Sequence, residues 1–254
     1  MKLLILALAL QTFVYSEPPR EIPSELYCEY TLDGKIPVLY SYFDDSYSPT
    51  EPLFYSKHAI NERIEKINRR EVGHYGETDV WLYAALEKYS IKDKEVAIIG
   101  SASPWYESVV IAFGGKPTTI EYNKIVTDDP RLVVLTVEEF ENAPKKFDIV
   151  LCISSIEHDG LGRYGDPLDP SADLKFMRKI KNDFLKPDGR MILAVPIGQD
   201  VLTWNRDRVY GLIRFPMLIN GWRIIESFGF NPAEFHGAFG NYAYQPVFYL
   251  KPNQ

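Results

Sequence analysis

Basic patches, a cysteine framework, N-glycan acceptors and membrane-length apolar runs are all missing from this chain. Lysines and arginines number 28 against 35 aspartates and glutamates, a formal charge of −7. The densest basic spots, Arg69-Arg70 and Lys179/Lys181, read as solvated helix faces. Gripping a nucleic-acid backbone needs clustered Lys and Arg, so no nucleic-acid partner is expected. Two cysteines, Cys28 and Cys152, are too few for a disulfide scaffold. Cys152 lies within an apolar run, where a free thiol acts as a small hydrophobe, although an oxidising compartment would allow the two to pair. No Asn-x-Ser/Thr acceptor occurs anywhere, so passage through the secretory pathway need not add N-glycans. No segment reaches the ~20 apolar residues that a membrane span requires.

What is present suffices for a folded domain. A chain of 254 residues that is 46% hydrophobic can bury a full core without disulfide or metal staples. Its first sixteen residues pair Lys2 with the apolar run Leu-Leu-Ile-Leu-Ala-Leu-Ala-Leu, and place Val14 and Ser16 at the −3 and −1 positions of a cleavage site. That is the pattern of a secretory signal peptide over 1–16, and it sets the expected location as the secretory pathway, secreted or in the ER/Golgi lumen. An uncleaved anchor is the alternative. With the leader removed, no stable membrane span is expected.

Residues 17–77 form an N-terminal extension. Its first part is rich in Pro, Tyr, Asp and Ser, with turn signals at Asp33-Gly34 and Tyr47-Ser48-Pro49, and reads as an irregular wrap. From Ser56 to about Glu71, Ile60, Ile64 and Ile67 recur on one helical face, and Thr78 to Tyr89 repeats the pattern with Val80, Trp81, Ala84 and Ala85. Between them the Gly-containing link Val72–Glu77 holds His74 and Tyr75, either as a helix stop or as a loop folding over a ligand.

Residues 78–254 then alternate strands with helices. The runs 94–100, 116–123, 131–136, 147–153 and 185–198 are short, aliphatic and β-branched, as strands buried on both faces of a parallel sheet are. Helical stretches or turns separate them, and 222–230 and 243–250 supply two last strands. In such a sheet ligands sit beyond the carboxyl ends of the strands, where Ser154, Ser155, Glu157, His158 and Asp159 follow the run Phe147-Asp148-Ile149-Val150.

The first strand ends in the turn Gly100-Ser101-Ala102-Ser103-Pro104, which leads into a helix. Backbone N–H groups at such a turn can meet an anionic ligand group, but only the first glycine of a nucleotide-type turn is present. Glu121 lies about twenty residues later at the end of the second strand, where a carboxylate can accept both ribose hydroxyls of an adenosine-containing ligand.

Together, Asp148-Ile149-Val150, Ser154-Ser155-Ile156-Glu157-His158 and Leu185-Lys186-Pro187-Asp188-Gly189 resemble the class I S-adenosylmethionine-dependent methyltransferase fold. The Gly160–Pro170 loop resembles, more closely, a family known only as a Caenorhabditis protein of unknown function. The resemblance spans roughly residues 78–250 and implies an α/β, Rossmann-like, mostly parallel sheet with helices on both faces, class I methyltransferase-like. It implies S-adenosylmethionine as cofactor, with Gly100, Ser101 and Ala102 at the methionine end, Glu121 on the ribose, Glu138 or Glu139 near adenine, and Ser154 and Ser155 beside the transferable methyl. Ala102 and Pro104 depart from the family's glycines.

Methyl transfer requires that an acceptor be oriented and its proton removed. His158 is the candidate base, with Asp159 or Asp166 to orient it. Arg163 and Tyr164, on the Gly-rich loop, and His74 and Tyr75 are the candidate substrate contacts. The spacing of Glu157, His158, Asp166 and His236 matches no compact metal motif, and no metal is expected. The expected activity is methylation of a small-molecule or glycan hydroxyl. A degenerate methyltransferase-like domain that binds a glycan or protein is the alternative, and a nicotinamide-dependent oxidoreductase is a more distant one.

Overall fold

The structure, a computed structural model, describes residues 18–43 and 51–253. The leader at 1–16 and the turn at Tyr47-Ser48-Pro49 lie outside them. In chain order the elements begin with α1 (Ser24–Thr31), β1 (Val38–Tyr40), β2 (Leu53–Tyr55), α2 (Lys57–Asn68), α3 (Glu77–Lys88), β3 (Glu95–Ile99), α4 (Trp105–Ala112) and β4 (Lys116–Glu121). There follow β5 (Ile125–Thr127), β6 (Val133–Thr136), α5 (Val137–Asn142), β7 (Phe147–Ile153), α6 (Ala172–Lys179), β8 (Leu185–Ala194), β9 (Val201–Trp204), β10 (Asp207–Val209), α7 (Arg214–Leu218), β11 (Trp222–Phe228) and β12 (Val247–Pro252).

The main sheet has seven strands in the order β11-β12-β8-β7-β3-β4-β6. The pairs β6–β4, β4–β3, β3–β7 and β7–β8 are parallel, whereas β12 runs antiparallel to both β8 and β11. Strand order therefore reverses between β3 and β7, which opens a crevice at their carboxyl ends. This is the α/β, Rossmann-like, methyltransferase-like architecture that the sequence implies. The aliphatic runs go to the centre because parallel strands are covered on both faces. One face packs Val150, Cys152, Leu193 and Phe248 against Met177 and Phe184, and the other packs Val96, Ile98 and Leu151 against Leu82, Leu86 and Val109. Cys152 is a free buried thiol and Cys28 a free exposed one.

Several elements differ from the sequence reading. The irregular wrap contains a helix, α1, and the short strand β1, which pairs parallel to β9. Tyr30 and Trp204, edge to face at 5.1 Å, pack this layer together with Leu161 and Leu168. Strand β2 pairs with β5, and Ser56 caps α2 by accepting from Ala59 N at 3.1 Å. Within the run 185–198 the Leu185–Gly189 segment does not pair evenly with its neighbour. It is looped out within β8, where pairing steps from Phe147↔Leu185 to Ile149↔Arg190. Among the described residues no helix is long and apolar enough to cross a membrane.

Candidate functional site

A cavity of about 1010 Å³ opens at the reversal point, bordered by the carboxyl ends of β3, β4 and β7. Lining it are His74, Tyr75, Gly100, Ser101, Ala102, Glu121, Ser154, Ser155, His158, Asp159, Tyr164 and Asp166, whereas Arg163, Glu157, Glu138 and Glu139 do not. The crevice is open rather than filled, although Trp105 and Tyr106 contribute to its wall.

The first edge is the turn after β3. Gly100 has φ +74°, and a Cβ there would run into Ser155 Oγ, so this position requires glycine. Ala102 and Ser103 are exposed. From the extension, Tyr55 OH donates to the Ser101 carbonyl at 3.0 Å and fixes the turn from behind. The Glu121 carboxylate lies across the same turn. It accepts from Ser101 N at 2.8 Å, Tyr122 N at 2.9 Å and Asn123 N at 3.3 Å. Burial nevertheless pushes its pKa up from the ordinary carboxylate value. Beneath the turn, Glu107 is fully buried and accepts from Thr119 Oγ1 at 2.8 Å.

Neither Glu138 nor Glu139 lines the cavity. Glu139 closes a capping box with Thr136 at the start of α5, and the acid that faces the cavity is Glu141, paired with Lys179. On this side Val137, Phe140, Phe176 and Phe184 form an apolar wall.

At the end of β7, Ser154 has φ +48°, an uncommon conformation for a residue with a side chain. Its hydroxyl donates to Glu157 Oε1 at 2.7 Å and accepts from Gln245 Nε2 at 3.0 Å. The following residues form a tight helical turn, Ile156–His158, that buries Glu157. His158 is oriented by neither Asp159 nor Asp166. Its Nδ1 lies 2.6 Å from the Arg206 carbonyl. A carbonyl can only accept, so Nδ1 carries the proton and Nε2 is left as the acceptor. Burial, with Arg163 nearby, lowers the His158 pKa to about 4, which keeps the ring neutral at physiological pH. Asp166 instead staples its own loop, accepting from Gly160 N at 2.6 Å and Tyr164 N at 3.3 Å. Burial and the neighbouring Asp166 raise the Asp159 pKa. Arg163 stands behind the wall, its guanidinium over the rings of Phe43 at 4.5 Å and Tyr164 at 4.9 Å.

The sequence reading missed four residues. Asp79, fully buried in α3, accepts from Gly73 N at 2.6 Å and from Tyr106 OH at 3.2 Å, which holds the His74-Tyr75 loop over the cavity. Arg208 on β10 donates to the carbonyls of Asp159 at 2.6 Å and Glu157 at 3.3 Å. Arg63 and Lys66 of α2 bring positive charge to the cavity rim. Local spacing carries no signal for any of these, because each depends on a contact with a distant element.

The family described as "Caenorhabditis protein of unknown function, DUF268" matches residues 93–236, more than half the chain. No curated protein matches. Solved structures with a similar course include a Burkholderia thailandensis 1,6-didemethyltoxoflavin N1-methyltransferase with S-adenosylhomocysteine bound. It is 14% identical, at TM-score 0.48, over 78% of this chain and 90% of that one. The CcbJ methyltransferase of Streptomyces caelestis is 10% identical, at TM-score 0.45, over 77% and 98%. The glycopeptide N-methyltransferase MtfA is 12% identical, at TM-score 0.43, over 92% and 100%.

Proposed function

Because the chain belongs to the Caenorhabditis DUF268 family of unknown function and has the methyltransferase-like strand order, we propose that its crevice binds S-adenosylmethionine and methylates a small-molecule or glycan hydroxyl. The observation that carries this reading is the meeting of Gly100, Glu121 and Ser154-Ser155 around one cavity at the β3/β7 reversal. The cavity is at the upper end of the ~300–1,000 Å³ typical of small-ligand sites, with room for cofactor and acceptor together. Its donor set fits the group. The Gly100–Ser103 turn would face the methionine end, Glu121 the ribose hydroxyls, and Val137, Phe140, Phe176 and Phe184 the base. When bound, the cofactor supplies an electrophilic methyl on a sulfonium.

The chain's own residues then orient the acceptor and take its proton. His158 Nε2 is the acceptor atom, held by the Arg206 carbonyl at Nδ1. Tyr75, Tyr122 and Tyr164 supply flat faces to the cavity, which suits a sugar or an aromatic acceptor. We place the protein in the secretory pathway on the strength of its leader, and the mature chain should begin at Glu17, as N-terminal sequencing of secreted material would read.

Calorimetric titration with S-adenosylhomocysteine tests the cofactor reading, and no binding at millimolar ligand would end it. The binding-module alternative has one observation in its favour: both Glu121 oxygens already accept backbone N–H groups of the chain itself. If that arrangement is closed to ligand, Glu121→Ala leaves the affinity for S-adenosylhomocysteine unchanged. If ribose docks there, the substitution weakens it.

A further inference from the structure

Glu157 is 1% exposed, yet only one of its carboxyl oxygens is partnered by a side chain: Oε1 holds Ser154 Oγ, and Oε2 has no partner. A buried carboxyl with an orphaned oxygen is costly and calls for an explanation. Ser154, its link to the cavity, is itself held at φ +48°, the kind of local strain that persists only where the surrounding structure imposes it.

We propose that Glu157 is the cation-recognising group of this cavity, acting through Ser154 Oγ, and that it sets a preference for a positively charged sulfonium over the neutral thioether of the same shape. The proposal rests on the cofactor reading above. At neutral pH Glu157 holds a proton: burial raises its pKa to about 8, Asp207 on β10 adds to the effect, and Ser154 and Arg163 oppose it. Its other neighbours leave room for a further cation. His158 Nε2 lies 3.8 Å away but is neutral. Arg208 donates to the Glu157 main-chain carbonyl and not to its carboxyl group. Asp159, Cys152, Tyr75, Tyr164 and Tyr210 also sense the Glu157 charge, and all five are held toward their neutral forms.

A cation resting against Ser154 lies one hydroxyl away from this carboxyl. Its charge favours the ionised form, so its binding expels the proton, whereas a neutral ligand leaves the proton in place. By linkage the cation binds more tightly as pH rises toward the carboxyl's own pKa, and the thioether does not.

Calorimetry in buffers of low and high ionisation enthalpy, with S-adenosylmethionine and S-adenosylhomocysteine as probes, reads this directly. At pH 7 the sulfonium should release about one proton more than the thioether. A charge about 6 Å away at an effective dielectric of ~20, acting on a carboxyl that titrates near 8, should raise the ratio of their affinities between pH 6.5 and 8.5 by on the order of tenfold. The α-amino group is common to both ligands, so the comparison removes its titration. Glu157→Gln, which resembles the protonated acid in shape, should abolish the difference, and Glu157→Asp should retain part of it. Circular dichroism checks that each variant is folded. Equal proton release for the two ligands, or a difference that survives in Glu157→Gln but vanishes in Asp159→Asn, overturns the assignment and leaves the cofactor reading intact. If neither ligand binds, both fall.

Discussion

Asp173 is the residue whose loss should cost this protein most for a single atom group removed. It is fully buried in α6 and accepts from Arg214 Nη2 at 2.7 Å, Arg214 Nε at 3.1 Å and Tyr210 OH at 3.0 Å, with Arg208 Nε at 4.0 Å. Asp173→Ala would leave two nearly inaccessible guanidinium groups without a countercharge. Breaking one partner of a buried pair typically costs about 3–5 kcal/mol. The remaining carbonyl partners, Pro170 O for Arg214 and Asp159 O for Arg208, place the expectation near the lower end, about 3 kcal/mol. With a urea slope of ~3 kcal/mol per molar, the unfolding midpoint should fall by about 1 M. Circular dichroism against urea measures it. The double variant Asp173→Ala/Arg214→Met should recover part of the loss, because an apolar replacement of the pair removes the stranded charge. A loss below 1 kcal/mol in the single variant, or a double variant less stable than the single, would refute the reasoning.

The other predictions concern the cavity. Glu121→Ala should weaken binding of S-adenosylhomocysteine at least tenfold, by loss of charge-assisted hydrogen bonds of about 1.5–3 kcal/mol; calorimetry reads the change. Gly100→Ala forces a side chain into the left-handed region at about 1–2 kcal/mol and onto Ser155 Oγ, so binding of the same ligand should drop while the circular dichroism spectrum holds. His158→Ala should leave cofactor affinity unchanged and lower turnover, as rate and binding measured on one preparation would show. Stability should depend on pH in two regimes. Glu157, with its pKa raised to about 8, loses stability as pH rises from about 4.5, while His158, lowered to about 4, gains it up to about 6.5. The two oppose each other below pH 6.5. Above it His158 no longer opposes Glu157, whose own contribution from pH 6.5 to 8 is a fall of about 2 kcal/mol, the part of the decline that Glu157→Gln should remove in denaturation series.

The centre of the fold was legible because its signal is local. Val96–Ile99 of β3, Ile149–Ile153 of β7 and Met191–Ala194 of β8 are apolar runs, and a run of that kind has few places to go except a doubly covered sheet. The site residues on the ends of those strands were legible for the same reason, since Gly100, Glu121 and Ser154 sit where strands stop. Illegible were elements too short to show a period, such as β1, β9 and β10, and α1, whose tyrosines and glutamates resemble a turn-rich wrap. Also hidden were residues whose surroundings are assembled from afar. His158 looks able to be oriented by Asp159 beside it, but the carbonyl that holds it belongs to Arg206, brought in by the β9–β10 turn. Asp79 reads as an ordinary first-turn acid until the Gly73 amide and the Tyr106 hydroxyl converge on it. Arg163 reads as a substrate contact because it lies on a Gly-rich loop, whereas its guanidinium lies over the rings of Phe43 and Tyr164 and does not line the cavity.

The stitching of the extension onto the α/β body has a consequence for the order in which the protein can be completed. Tyr30 donates to the Gly160 carbonyl, 130 residues ahead, and Trp204 Nε1 donates to Pro19 O across 185 residues. A ribosome releases the early partners of these bonds long before the late ones exist. Until Leu161 and Trp204 emerge, Tyr30 and Ile36 have no apolar layer to enter, and contacts of such long sequence separation form slowly. The surface behind His158 therefore cannot close before Trp204 has emerged, and the cavity wall waits still longer, for Gln245 to reach Ser154.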